Sequence, residues 1–197
     1  MLTFFVLLGG CGGTVAWQLG VFNADGRFED VDACKIMPEP GRLASFVANG
    51  AREPRKPERR GIFDPEGSEC KWSSVPEGVD RPFRTVRVYV KTTDASSDDS
   101  GPERAVRDMR IWRENHVRRG TKLTPIDIGE ESYRTVDRAS YVIVLKRVDV
   151  YDIHAKFRIS NAVVDVSART HDQPGEVESA QVVALGKDFA ARLNRLD

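Results

Sequence analysis

Three histidines and three cysteines carry most of the reactive side-chain chemistry open to this 197-residue chain. A metal site read from sequence needs ligands at short spacing, such as C-x-x-C or two histidines one helical turn apart. Neither pattern surrounds Cys34, Cys70, His116, His154 or His171, so neither a metal nor a cofactor is expected. His116 falls on the apolar stripe of a helix, where a satisfied boundary histidine is the simpler reading. No serine stands in a G-x-S-x-G elbow. Acidic residues are too numerous, at thirty, for abundance to single out an acid and a base. Glycosidase-like chemistry needs two carboxylates a few ångströms apart across a cleft, which linear spacing does not reveal. The Asp94, Asp98 and Asp99 loop lacks the D-x-[DN]-x-[DN]-G calcium pattern, and no glycine-rich phosphate loop follows a strand. The expectation is no catalytic residue. A cleft gathering two carboxylates, or His154 beside an acid, would revise it towards an envelope hydrolase.

Binding chemistry is better represented. Arg52, Arg55, Lys56, Arg59 and Arg60 crowd one proline-containing loop, and Arg104, Arg107, Arg110 and Arg118 share the outer face of a helix. Arg55, Arg59, Arg107 and Arg110 are the candidate contacts to anionic lipid headgroups or cell-wall polymers, since a membrane tether would concentrate them near such surfaces. Glu58, Asp108 and Glu114 dilute both groups, and ordinary solvated faces are the competing reading. Trp72, Trp112 and Phe157 are candidates to line an apolar pocket, and all three also fit a plain core. Thirty basic against thirty acidic side chains give no net charge. A dedicated nucleic-acid binder normally carries a basic excess, so none is expected as partner.

The charge is distributed unevenly, because none of it precedes Asp25. Leu2 to Phe22 reads LTFFVLLGGCGGTVAWQLGVF. At ~1.5 Å per residue a helix of that length reaches the ~30 Å of a bilayer core. Residues 1–23 are therefore expected to be a single-span anchor, or in the alternative a signal segment in which Leu8-Gly9-Gly10-Cys11 acts as a lipobox with Cys11 lipidated. Residues 24–31 read as a polar tether, and 32–197 as one extracytoplasmic domain. Past the lead only Cys34 and Cys70 remain, and an even pair in an exported chain is expected to form a disulfide.

Periodicity supplies the elements. Leu43, Phe46 and Val47 at helical spacing predict a short helix within Pro38 to Asn49, with Gly50 as its stop. Glu69 to Val75 and Arg84 to Thr92 read as strands. The second alternates strictly, Val86, Val88 and Val90 against Arg87, Tyr89 and Lys91. Glu103 to Arg119 is a helix with Ala105, Met109, Trp112 and His116 on one stripe. Three strands follow, over Ser140 to Val148, Asp152 to Ser160 and Ala162 to Thr170. Ser160-Asn161 makes a tight turn between the last two, with Asn161 tolerating positive φ. Glu176 to Leu196 is the closing helix. The order αββαβββα implies an α+β domain, an antiparallel sheet of about five strands with helices packed on it.

Asp32-Ala33-Cys34, Cys70-Lys71-Trp72, Ile126-Asp127-Ile128-Gly129 and the hairpin Phe157-Arg158-Ile159-Ser160-Asn161-Ala162-Val163-Val164 together resemble a group of actinobacterial cell-envelope proteins of unknown function, small lipoproteins or single-span proteins with a PsbP-like domain. The likeness runs from about Val31 to Leu196. Ser160 stands where that group usually has Gly, and Ser132 where Ala is commoner. The resemblance implies an envelope location and a PsbP-like architecture, and brings no activity. The expected function is a membrane-tethered extracytoplasmic binding or interaction module without catalysis. The alternative is a structural or accessory subunit of an envelope complex, assembled through the anchor or its Gly9-x-x-x-Gly13 segment.

Overall fold

Alternating Val86, Val88 and Val90 do build a strand with one buried face, and it lies near the centre of a larger sheet than the sequence predicts. The computed structural model describes residues 24–47, 49–53, 67–74, 84–143 and 146–196. Its elements in chain order are α1 (Pro40–Leu43), β1 (Gly50–Arg52), β2 (Ser68–Ser74), β3 (Thr85–Thr92), α2 (Gly101–Arg118), β4 (Thr124–Pro125), β5 (Glu131–Ile143), β6 (Lys146–Ile159), β7 (Ala162–Thr170) and α3 (Glu176–Leu193). The strands form one antiparallel sheet ordered β1-β2-β3-β7-β6-β5-β4. The α+β class stands, but the sheet has seven strands rather than about five. The segment Ser140 to Val148 is not one strand. It straddles the reversal between β5 and β6, where Ile143 pairs with Lys146. Apolar residues run unbroken from Tyr141 to Leu145, so no Gly, Pro or Asn marks the turn. The predicted helix over Pro38 to Asn49 is helical only at Pro40–Leu43; Asn49 takes φ 55° and Gly50 opens β1 instead of stopping a helix.

Strand alternation gives the sheet two unlike faces. On one, Val86, Val88 and Val90 of β3, Val164 and Val166 of β7, and Ile153, Ala155 and Phe157 of β6 are buried beneath Val182, Leu185, Phe189 and Leu193 of α3 and beneath Phe28, Ala33, Ile36 and Leu43. Each such aliphatic or aromatic side chain contributes ~1.5–3 kcal/mol by leaving water, so this layer holds the domain together. The Cys34–Cys70 disulfide, with Cα atoms 5.1 Å apart, ties the first described segment to β2. Residues 24–31, read from sequence as a tether, pack against the domain: Phe28 and Val31 are buried, and the Asn161 side chain accepts from Phe28 N at 3.0 Å and donates to Phe28 O at 2.6 Å.

On the opposite face α2 lies across the sheet. Ser100 and Glu103 close a reciprocal cap at its N-terminus, and Ala105 and Met109 pack on Val163 beside Tyr133. That apolar patch is small. The remainder of the face is polar and rich in charged side chains.

Two turns shape this framework. Between β6 and β7 it is Ser160, not Asn161, that takes positive φ, at 50°. Asn161 is fully buried and its carboxamide is committed to Phe28 and Thr93, which fixes its backbone as well. Before β5, Gly129 adopts φ 64°, and a Cβ there would meet Arg158 O at 2.4 Å. Only glycine fits that approach.

Candidate functional site

Positions that alternate with the core valines carry charge. Beside α2 they surround a cavity of about 220 Å³. β2 supplies Lys71, β3 Thr85 and Arg87, β6 Asp152 and His154, and β7 Ser167 and Arg169, with Glu53 at the end of β1. Register brings them together: Lys71 lies opposite Arg87, Thr85 opposite Arg169, Arg169 opposite Asp152, and Ser167 opposite His154.

His154 is the most constrained group. Its Nδ1 lies 2.9 Å from Asp165 Oδ1, its Nε2 lies 3.8 Å from Asp137 Oδ2, and the side chains of His154 and Asp165 are each 14% exposed. Burial alone would lower the imidazole pKa, but the adjoining Asp165, with Asp137 and Asp152 behind it, raises it above the usual histidine value. For Asp165 burial works upwards, and His154, Lys156 and Arg87 overcome it to hold the carboxyl well below the ordinary carboxylate range. The pair is thus biased towards its charged, imidazolium-carboxylate form. Lys156, on the same strand as His154, has its pKa lowered chiefly by burial, and its Nζ sits 5.0 Å from the centre of the Trp112 ring.

The arginines are held unequally. Arg169 donates Nε and Nη2 to the two oxygens of Asp152, both at 2.8 Å. Arg87 reaches Glu69 at 3.4 Å and Asp165 at 3.8 Å, and its buried Nε has no hydrogen-bond partner among the described residues. Lys71 binds Glu69 at 2.6 Å.

The residues singled out from sequence are placed differently. Arg107 is committed to Asp99 and Arg104 to the Asp94 carbonyl, so the arginine face of α2 is partly neutralised by the preceding loop, while Arg110 is exposed. Arg55, Arg59 and Cys11 lie outside the described residues. Trp72 and Phe157 belong to the core face and Trp112 to the other side of the sheet, so the three do not line one pocket. His116 donates from Nδ1 to the Trp112 carbonyl at 2.9 Å, and its Nε2 faces Asp137 at 3.6 Å. Ser68 and Lys71 stand at S-x-x-K spacing, which on a strand sends them to opposite faces; Ser68 accepts from Ala33 N at 3.0 Å, and no serine–lysine pair forms.

Sequence reasoning missed Lys71, Arg87, Asp165 and Arg169. The available signal was charge inside apolar strands, as in Val164-Asp165-Val166 and Ile153-His154-Ala155. Among the described residues no group of three or more His, Cys, Asp or Glu side chains is arranged to hold a metal, and no helix is long and apolar enough to cross a membrane. The proposed anchor, 1–23, lies outside the described residues. Comparison of the chain with protein-family models, curated proteins and solved structures finds no match.

Proposed function

We propose that the chain is a membrane-tethered, extracytoplasmic binding module without catalysis, and that its ligand sits in the cavity on β2, β3, β6 and β7. The cavity carries this reading: a concave site with convergent polar groups and a perturbed histidine is where a ligand is most economically held. The Cys34–Cys70 disulfide supports an oxidising compartment, and the uncharged lead supports tethering. A seven-stranded antiparallel sheet with helices on both faces favours the PsbP-like architecture within the α+β class.

His154 beside Asp165 is also the beginning of a hydrolytic dyad, and that pair favours a second reading as an envelope hydrolase. Binding is the stronger of the two. A general base needs a neutral ring nitrogen facing its substrate, whereas His154 meets a carboxylate on each side and favours its protonated form.

Native mass spectrometry of the full chain, exported in a related host and released in mild detergent, tests the proposal. An added small-molecule mass that disappears on denaturation is expected. A bare mass under both conditions, together with turnover of a model ester or glycoside abolished by His154→Gln, would replace it with the hydrolase.

A further inference from the structure

The geometry points to a small oxyanion as the ligand of this cavity, a molecule whose carboxylate or phosphoryl oxygens are gripped by Arg87, Lys71 and Arg169 beside His154. This rests on the reading of the cavity as the ligand site and specifies what that site takes.

Hydrogen-bonding capacity decides the class. Both oxygens of Asp152 already accept from Arg169 at 2.8 Å, and Glu53 accepts from the Ser73 hydroxyl. The donors are less committed. An ammonium has three protons and a guanidinium five. Lys71 directs one bond to Glu69, while Arg87 makes one long bond to Glu69 at 3.4 Å and stands 3.8 Å from Asp165. The Arg87 side chain is 36% exposed, so its loosely held terminal nitrogens are open to a ligand in the cavity. The cavity wall thus has donors to spare, while its Asp152 carboxylate is held on both oxygens. A ligand that complements it brings acceptors, and a guanidinium whose terminal nitrogens make only long contacts, to Glu69 at 3.4 Å and Asp165 at 3.8 Å, suits a carboxylate or phosphate. A cation would add donors to a wall already rich in them. Size agrees: a cavity of about 220 Å³ accommodates a phosphate or a short dicarboxylate.

The chain has three histidines, so the His154 imidazole signals can be assigned by substitution in histidine-labelled full chain in nonionic detergent. Inorganic phosphate and succinate are titrated separately, beside glucose as a neutral probe and putrescine as a cationic one. Saturable movement of the His154 signals by phosphate or succinate is expected, and whichever saturates at lower concentration identifies a phosphoryl or a carboxylate source. Arg87→Gln should raise the half-saturation concentration at least tenfold, and Lys187→Gln, exposed on α3 across the sheet, should leave it unchanged. If Arg87→Gln loses the dispersed histidine signals of the fold, Lys71→Gln serves in its place with the same tenfold expectation. Movement by glucose or putrescine alone would overturn the oxyanion and keep the site. Anion-induced movement that is unaltered by either variant would also overturn it. Silence towards all four probes would overturn both the ligand class and the site.

Discussion

His154 and Asp165 are the residues on which the charged face turns, and their pH behaviour follows from the directions of their shifts. Asp165 has a lowered pKa, so its contribution is complete above the ordinary carboxylate value of about 3.9 and is lost as pH falls towards its folded value. His154 has a raised pKa, so its contribution is complete below about 6.5 and is lost as pH rises through the folded value. Denaturant midpoints should therefore be highest between about pH 4 and 6.5, and the decline above that window should be absent in His154→Gln. Asp165→Asn removes the carboxylate that holds His154 Nδ1 and should cost about 1–3 kcal/mol by the same assay. Asn161 has a comparable structural role. Asn161→Ala strips Phe28 N–H, Phe28 C=O and Thr93 C=O of their buried partner, and should cost about 3 kcal/mol, with faster hydrogen exchange at the Phe28 amide. The sequence marks Ser160-Asn161 as a turn, yet not which residue takes positive φ, because the competing demand on Asn161 comes from Phe28, 133 positions away.

At the scale of elements, strong periodicity was enough where burial is one-sided. α2, β3, β7 and α3 emerge within two or three residues of their predicted ends because one face of each is apolar. β5 did not, since Arg134, Arg138 and Ser140 blur its alternation: it lies next to the sheet edge, where both faces meet solvent. α1 fell short because its apolar residues Leu43 and Val47 are buried by packing from the chain on either side rather than by a continuing helix. The disulfide was legible from cysteine count alone, and it joins elements that share no hydrogen-bonded ladder. Closing a loop of 36 residues restricts the unfolded chain by about 4 kcal/mol in the chain-entropy model. Replacing both cysteines by serine should lower stability by about that amount in chemical denaturation, and by less if the reduced chain retains structure.

The whole molecule is asymmetric about its sheet, with an apolar layer that holds the fold and a charged layer that carries the candidate site. The first was readable because apolar residues announce their own burial. The second was not, because Lys71, Arg87, His154 and Arg169 lie on four strands and meet only once the order β2-β3-β7-β6 is set. Charge within a strand reads in sequence as a solvent face; the neighbouring strands turn part of it into a cavity wall. At this scale the proposed anchor also makes a prediction. If residues 1–23 act as a helical anchor, Cys11→Ala should change the mass of the chain only by the substitution itself, whereas with a lipid anchor at Cys11 it would also remove an acyl mass.

The central claim, a ligand-binding cavity governed by Arg87, is most directly tested by recording native masses of the full chain and of Arg87→Gln side by side, purified identically from the exporting host. An extra mass on the unaltered chain that is absent from a folded Arg87→Gln is the predicted result. An extra mass retained equally by both, or by neither, would contradict it.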